Sequence, residues 1–161
     1  MAFRQAPPLE AVAWFNTDEP LTLERLRGRI LLLHVFQMRC AACTELATPQ
    51  AQRVHEYFES GNLTVLGLHS VFENHEEQTP DALVRHIREQ RLTFPIAVDA
   101  LDAGARIPRT MQALGLDGTP TAVLIDELGR IRMKKLGHVS DLALGAAIGA
   151  LIAGKDGRVR R

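Results

Sequence analysis

The two cysteines of this chain, Cys40 and Cys43, stand two residues apart in the sequence Cys-Ala-Ala-Cys. A disulfide across so short a loop removes little conformational entropy from the unfolded chain and therefore adds little stability. A secreted scaffold held together by disulfides would carry more cysteines, spread along its length. We therefore interpret the pair as reactive rather than structural, and neighbouring thiols are suited to dithiol–disulfide exchange.

A buried strand followed by a helix is expected to position the pair. The run Ile-Leu-Leu-Leu-His-Val-Phe at residues 30–36 is almost continuously apolar, as in a strand covered on both faces. A helix is predicted to begin at the cysteines and to end near Glu59, with a kink at Pro49. Three residues are expected on its inner side: Leu46, Val54 and Phe58.

The N-terminus of that helix would favour the thiolate of Cys40. Its unpaired N–H groups and its dipole stabilise negative charge, and the thiolate is the reactive form of cysteine. Arg39 directly precedes Cys40 and would add a full positive charge. We predict that Cys40 is the nucleophile and that Cys43 is the resolving thiol, which attacks the mixed disulfide made by the first.

Metal binding is the main alternative, because two cysteines at this spacing form half of many zinc sites. The sequence has no second cysteine pair, and its six histidines show no ligand spacing such as His-x3-His. We therefore predict no metal. A weaker alternative site would use His69, His75 and Glu76, and a chance occurrence of two cysteines in a helix also stays open.

Strand-like and helix-like segments alternate along the rest of the chain, which indicates an α/β protein. Further strands are predicted at residues 63–68, 94–98, 121–125 and 131–136, the last two joined as a hairpin, with a shorter candidate at 11–15. Further helices are predicted after Thr79, over residues 107–114, and from Ser140 to near Gly154.

Four segments carry a family resemblance: residues 30–43 with the cysteines, 66–70 (Leu-Gly-Leu-His-Ser), 94–99 (Phe-Pro-Ile-Ala-Val-Asp), and 118–131 beginning Gly-Thr-Pro-Thr. Together they resemble the thioredoxin superfamily, and within it the thiol-disulfide oxidoreductases of the TlpA/ResA type in the AhpC/TSA-like group. The resemblance covers about residues 9–153 of a single predicted domain. It implies a thioredoxin-like α/β fold, with a central mixed five-stranded sheet flanked by helices on both faces.

The resemblance also implies the other site residues. Pro120 would be cis and catalytic, facing the cysteines, and the backbone of Thr119 would pair with a bound peptide. Arg39 is a second candidate for substrate binding. The family usually has Trp before the first cysteine and Gly-Pro between the two, whereas this chain has Arg39 and Ala41-Ala42. These changes alter the reduction potential in a direction that the sequence leaves open.

His34 and Glu45 are candidates for a proton relay. His34 lies six residues before Cys40, where thioredoxins carry a buried aspartate that serves the second cysteine. A histidine there would titrate nearer neutrality, but it fits equally well as a core residue bonded to the backbone. Glu45 also suits the first turn of a helix, the interpretation that we favour. Residues 70–79, longer than in simple thioredoxins, are predicted to form a solvated loop, with a substrate-facing rim as the alternative.

The predicted activity is the exchange of a Cys40/Cys43 dithiol–disulfide with protein or small-molecule disulfides. An unidentified electron donor or acceptor protein is the expected partner, and no cofactor beyond the redox-active disulfide is expected. One alternative is a thiol peroxidase of the AhpC/TSA group, although its Pro-x-x-x-Thr-x-x-Cys signature finds neither proline nor threonine here. The other is a non-enzymatic copper- or partner-binding module, whose copper-delivering relatives use Cys-x3-Cys.

Charge and hydropathy limit the other partners. Nineteen basic residues balance nineteen acidic ones, which argues against nucleic acid and anionic membranes. The basic stretch within residues 154–161 is predicted to be a frayed tail. Residues 142–153 are too short to span a membrane, and residues 1–8 lack the apolar region of a signal peptide. We expect a monomer that is cytoplasmic as given, or periplasmic if an export signal was removed.

Overall fold

The computed structural model describes residues 3–58 and 61–159, with side chains up to Gly154. The strands within these ranges are β1 (Ala11–Phe15), β2 (Ile30–Phe36), β3 (Leu63–His69), β4 (Ile96–Asp99), β5 (Thr121–Ile125) and β6 (Ile131–Leu136). The helices are α1 (Thr48–Tyr57), α2 (Pro80–Glu89), α3 (Arg109–Leu114) and α4 (Asp141–Val159). A π-helical turn, Cys43–Ala47, precedes α1, and a 3-10 turn, His75–Glu77, precedes α2.

The strands form one mixed sheet in the order β1-β4-β3-β2-β5-β6. β3 runs parallel to β2 and β4, whereas β5 is antiparallel to β2 and β6. The expected five-stranded sheet is corrected to six, because β1 pairs antiparallel with β4. Without β1, β4 would be an edge strand with unpaired backbone groups, and the short β1 segment satisfies those groups.

Helices cover both faces of the sheet, as predicted. All seven residues of β2 are buried, and their side chains alternate between two apolar clusters. On one face, Phe36 belongs to a cluster with residues of α1, α2 and α4. On the other, Leu33 belongs to a cluster that includes Met111 and Leu114 of α3. This two-sided burial explains why β2 lacks the alternation of a half-exposed strand.

The start of the first helix differs from the prediction. Its N-terminal part includes a π-helical turn, in which the N–H of Thr48 bonds to the carbonyl of Cys43, five residues earlier. A π turn contains more residues than an α turn and shifts the faces of the helix. Leu46, predicted on the inner side, is therefore 48% exposed, and that prediction is wrong. Pro49, which lacks an N–H, is the second residue of α1, where it requires no helical hydrogen bond.

Two other helix boundaries also differ. α3 begins at Arg109 and not at Ile107, because the ring of Pro108 disfavours a helical conformation in the preceding residue. Ile107 therefore lies ahead of the helix and is 40% exposed. α4 continues past Gly154 to Val159, because an exposed glycine weakens a helix by only about 1 kcal/mol. The predicted tail is therefore helical to that residue. Arg160, Arg161 and the predicted helix end at Glu59 lie outside the described residues.

The caps of two helices are confirmed. The side chain of Thr79 accepts the N–H of Ala82 at the start of α2, and that of Ser140 accepts the N–H of Ala143 at the start of α4. Such caps satisfy N–H groups that the helix itself leaves unpaired. Among the described residues, no helix combines the length and the apolar character needed to cross a membrane.

Candidate active site

Cys40 and Cys43 lie where the central strand β2 passes into a helix, as predicted. They are paired as a disulfide, with their Cα atoms 5.2 Å apart. Cys40 is half-buried, whereas Cys43 is sealed in the core. The backbone N–H of Cys43 points to the Sγ of Cys40 at 3.3 Å. This helix-terminal N–H would stabilise a thiolate at Cys40, and Cys40 is the sulfur that a partner could reach.

The loop before β5 faces the cysteines. The Thr119–Pro120 peptide bond is cis, as the resemblance implied. The carbonyl oxygen of Thr119 lies 3.6 Å from the Sγ of Cys40. The hydroxyl of Thr121 donates to the carbonyl of Gly118 at 2.7 Å and closes the turn around the proline. The sulfur therefore lies directly beside a backbone edge.

The charge of Arg39 is shared with a carboxylate. Its Nε donates to the Oε2 of Glu77 at 2.6 Å, and its terminal nitrogen forms an ion pair with the same oxygen. Both side chains are more than half exposed, so water screens them. The expectation of a full positive charge acting on Cys40 is therefore corrected, because Glu77 offsets part of it.

Replacing Glu77 with glutamine should increase the reactivity of Cys40. Removing the carboxylate leaves the charge of Arg39 unbalanced. An exposed ion pair contributes about 0.5 kcal/mol, and stabilising the Cys40 thiolate by that amount would raise its rate of reaction roughly twofold. We expect reduced Glu77→Gln in a Cys43→Ala background to be alkylated by iodoacetamide faster at pH 6. Glu19→Gln in the same background is the control, since it breaks a similarly exposed ion pair with Arg25. Equal rates would show that the sulfur does not sense Arg39.

The prediction of a solvated loop at residues 70–79 is confirmed in part, because residues 73–77 and Thr79 are exposed, but Gln78 is buried beside the active site. Gln78 is 5% exposed. Its Oε1 accepts the backbone N–H of Arg39 at 3.2 Å, and its Nε2 donates to the carbonyl of Glu73 at 2.8 Å. A buried amide must find such partners, and one of them belongs to Arg39, the residue directly before Cys40.

Gln37 joins this segment to the cis-proline loop. The side chain is 2% exposed, and its Oε1 accepts the N–H of Phe72 at 3.2 Å and the Nε2 of Gln78 at 3.1 Å. Its Nε2 donates to the Oγ1 of Thr119 at 3.3 Å. Sequence analysis missed both glutamines. A signal existed for Gln37, because a polar residue directly after an almost continuously apolar, buried strand requires hydrogen-bond partners.

His34 is neutral in the folded protein. It is buried beside Phe36 with the two rings stacked at 5.0 Å, and its Nε2 lies 2.8 Å from the Oγ1 of Thr48. Burial lowers the pKa of His34 to about 3, so the expectation of titration nearer neutrality is wrong. The Thr48 hydroxyl carries no charge, so its contact with His34 does not offset the cost of burying a charged imidazolium. Its role in a proton relay, like that of exposed Glu45, stays a prediction.

His69 is occupied by the loop before Cys40. Its Nε2 accepts the N–H of Met38 at 3.4 Å, and burial lowers its pKa to about 4. His75 and Glu76 lie exposed in the 3-10 turn. The alternative metal site from these three residues is not formed. Among the side chains that the structure describes, in residues 3–58 and 61–154, no group of three or more His, Cys, Asp and Glu could hold a metal ion.

Comparison with known proteins finds a matching family model and solved structures of similar fold. The model of the AhpC/TSA family matches residues 4–134. The crystal structure of a thioredoxin-like superfamily protein is 43% identical, with a TM-score of 0.89, and the match covers 93% of this chain and 96% of that one. A thiol-disulfide isomerase from Corynebacterium glutamicum is 44% identical, with a TM-score of 0.86, and the match covers 91% and 96%.

Curated relatives include much longer proteins. NHL repeat-containing protein 2 of Homo sapiens is 28% identical over 155 residues, and Protein DipZ of Mycobacterium bovis is 27% identical over 136 residues. These matches cover 94% and 83% of this chain but 20% and 18% of the relatives, so the chain spans about a fifth of their length. On the family match and the similarity of fold, the chain belongs to the AhpC/TSA family and is a thioredoxin-like protein of the TlpA/ResA type.

Proposed function

We propose that this protein exchanges its Cys40–Cys43 dithiol with the disulfides of proteins or small molecules. One observation carries the proposal: an accessible sulfur and a buried sulfur are paired at the start of a helix, beside the cis-proline loop. The accessible sulfur can attack a partner, and the buried one can react only with its neighbour. This division of labour is what a two-step exchange requires.

In the reductive direction, the thiolate of Cys40 attacks one sulfur of the substrate disulfide. A bond forms between these sulfurs, the substrate S–S bond breaks, and the second substrate sulfur leaves as a thiolate that takes a proton from water. Cys43 then loses its proton and attacks the Sγ of Cys40. The intramolecular disulfide forms, and the other substrate thiolate leaves. Two electrons have passed to the substrate, and a dithiol of a partner protein must restore the reduced pair.

Thr119 and Pro120 serve this reaction by holding the substrate. With no N–H at residue 120 and the carbonyl of Thr119 beside Cys40, the loop offers a backbone edge on which an extended segment could pair. Substrate disulfides would thereby be held in line with the attacking sulfur. Arg39 would bind acidic groups of the substrate at the rim, in competition with Glu77.

The proton of Cys43 requires an acceptor in the second step. We keep His34 and Glu45 as the two candidates. Neutral His34 has a free lone pair in one tautomer but is a weak base, because burial holds its pKa at about 3. Glu45 is exposed to water in the π-helical turn, two residues after Cys43. A weak base in the core favours a positioning role for His34, through its contact with Thr48.

A reductase assay tests the proposal. We expect the reduced protein to cleave the disulfides of insulin, or of a disulfide-linked peptide, faster than an equal concentration of glutathione does. Two electrons should pass to the substrate for each Cys40–Cys43 disulfide that forms. Equilibration with glutathione redox buffers would give the reduction potential and hence the favoured direction of electron flow. Exchange no faster than with glutathione would refute the proposal, and rapid turnover of hydrogen peroxide through a sulfenate at Cys40 would favour a peroxidase.

A further inference from the structure

Adjacent residues of the 70–79 segment hold both parts of Arg39. Glu77 binds its guanidinium, and Gln78 accepts its backbone N–H at 3.2 Å. The neighbouring N–H, that of Met38, is accepted by His69 at 3.4 Å. Side chains from outside the loop thus fix the backbone that leads directly into Cys40.

The hydrogen bonds continue from Gln78 to the substrate-pairing edge. The Nε2 of Gln78 donates to the Oε1 of Gln37 at 3.1 Å, and the Nε2 of Gln37 donates to the Oγ1 of Thr119 at 3.3 Å. The chain of contacts therefore connects the residue before the nucleophile with the residue before the cis-proline. Thr119 is 82 positions from Gln37 in sequence, so this connection exists only in the folded protein.

Both amides are buried and use both of their polar atoms. The Oε1 of Gln37 accepts two hydrogen bonds and its Nε2 donates two, the second one to the carboxylate of Glu73 at 3.4 Å. Gln78 makes three. Breaking one link would leave a buried polar group unpaired, which is costly, so the arrangement resists displacement.

We propose that Gln78 and Gln37 form an amide relay that fixes the substrate-pairing edge at Thr119 relative to the nucleophile Cys40. The inference rests on the proposed exchange reaction and assigns its positioning residues. Neither glutamine contacts a sulfur within hydrogen-bond distance. Their effect would arise from the geometry of attack, since misplacing reacting groups by about 1 Å can slow a reaction by about a hundredfold.

Two reactions of Cys40 distinguish positioning from a general loss of structure. Attack on a disulfide-linked peptide needs both the sulfur and the edge at Thr119, whereas alkylation by iodoacetamide needs the sulfur alone. We expect Gln78→Leu to slow the peptide reaction by about tenfold. The rate and the pH midpoint of alkylation should stay at the wild-type values.

A double-mutant cycle tests the connection itself. Thr119→Val removes the hydroxyl at the end of the relay and leaves the 70–79 segment intact, and we expect it to slow the peptide reaction as Gln78→Leu does. The double variant should be no slower than the slower single variant, because one relay is broken in each case. Effects that multiply would show that the two residues act independently and would overturn the relay.

Thr110→Val is the matched control for the loss of a buried hydrogen bond. The hydroxyl of Thr110 accepts the N–H of Glu10 far from Cys40 in sequence and on the face covered by α3. We expect this variant to retain both reactions. If Gln78→Leu slows alkylation as much as the peptide reaction, or slows neither, the relay is overturned. If wild-type protein cleaves no disulfide, the proposed function is overturned together with the relay.

Discussion

Serine at position 43 should convert the protein into a covalent trap for its substrates. Without the Cys43 thiol, the mixed disulfide at Cys40 has no internal nucleophile to resolve it. A well-oriented intramolecular group can have an effective concentration of about 10⁵ M or more, and millimolar external thiol cannot match that. We expect turnover to fall by several orders of magnitude, and Cys43→Ser to remain bound to a disulfide-linked peptide in non-reducing mass spectrometry.

Cys40→Ser is the matched variant for this experiment. It should form no mixed disulfide, because its remaining sulfur is buried in the core beneath the start of the helix. The two variants carry the same chemical change three residues apart, so their difference reports the role of each sulfur. A stable adduct of Cys40→Ser, together with none of Cys43→Ser, would reverse the assignment of nucleophile and resolving thiol.

Acidification from pH 7 to pH 4 should destabilise the oxidised protein by on the order of 5 kcal/mol through His34 and His69. Burial lowers their pKa values from 6.5 to about 3 and about 4. Between these values and 6.5 the unfolded chain binds more protons, so the free energy of unfolding falls as pH falls. The slope approaches about 2.7 kcal/mol per pH unit for two protons. The loss is comparable with the whole stability of a small domain, about 5–15 kcal/mol.

Urea unfolding, followed by circular dichroism at pH 7, 6, 5 and 4, measures this slope. His34→Leu should reduce the slope by about one proton, or about 1.4 kcal/mol per unit, whatever its effect on stability at pH 7. Exposed His75→Gln is the control and should leave the slope unchanged. Equal stability of the wild type at pH 7 and pH 4 would contradict the burial of neutral imidazoles. His34→Leu, assayed for disulfide exchange as a function of pH, also tests His34 as the acceptor of the Cys43 proton.

The strand and helix that carry the cysteines could be predicted because their signals are local. A seven-residue run that is almost continuously apolar indicates a strand buried on both faces, and Cys40 follows it at a helix start. Thr79 before Pro80 marks a helix start in the same way. The cis bond at Pro120 followed from a motif resemblance rather than from a local rule. Leu46 was misplaced because helical periodicity assumes a regular helix, and the π turn breaks that regularity.

The sequence by itself determined where a reactive dithiol would lie, because neighbouring residues of one strand and one helix position both sulfurs. Only the tertiary structure decided what surrounds Cys40. Glu77 reaches Arg39 across 38 positions, and Gln37 reaches Thr119 across 82. The same packing keeps His34 neutral, since a pKa depends on the surroundings that folding brings to the side chain. Partners so distant in sequence leave no periodic signal, and only the folding of the whole domain brings them together.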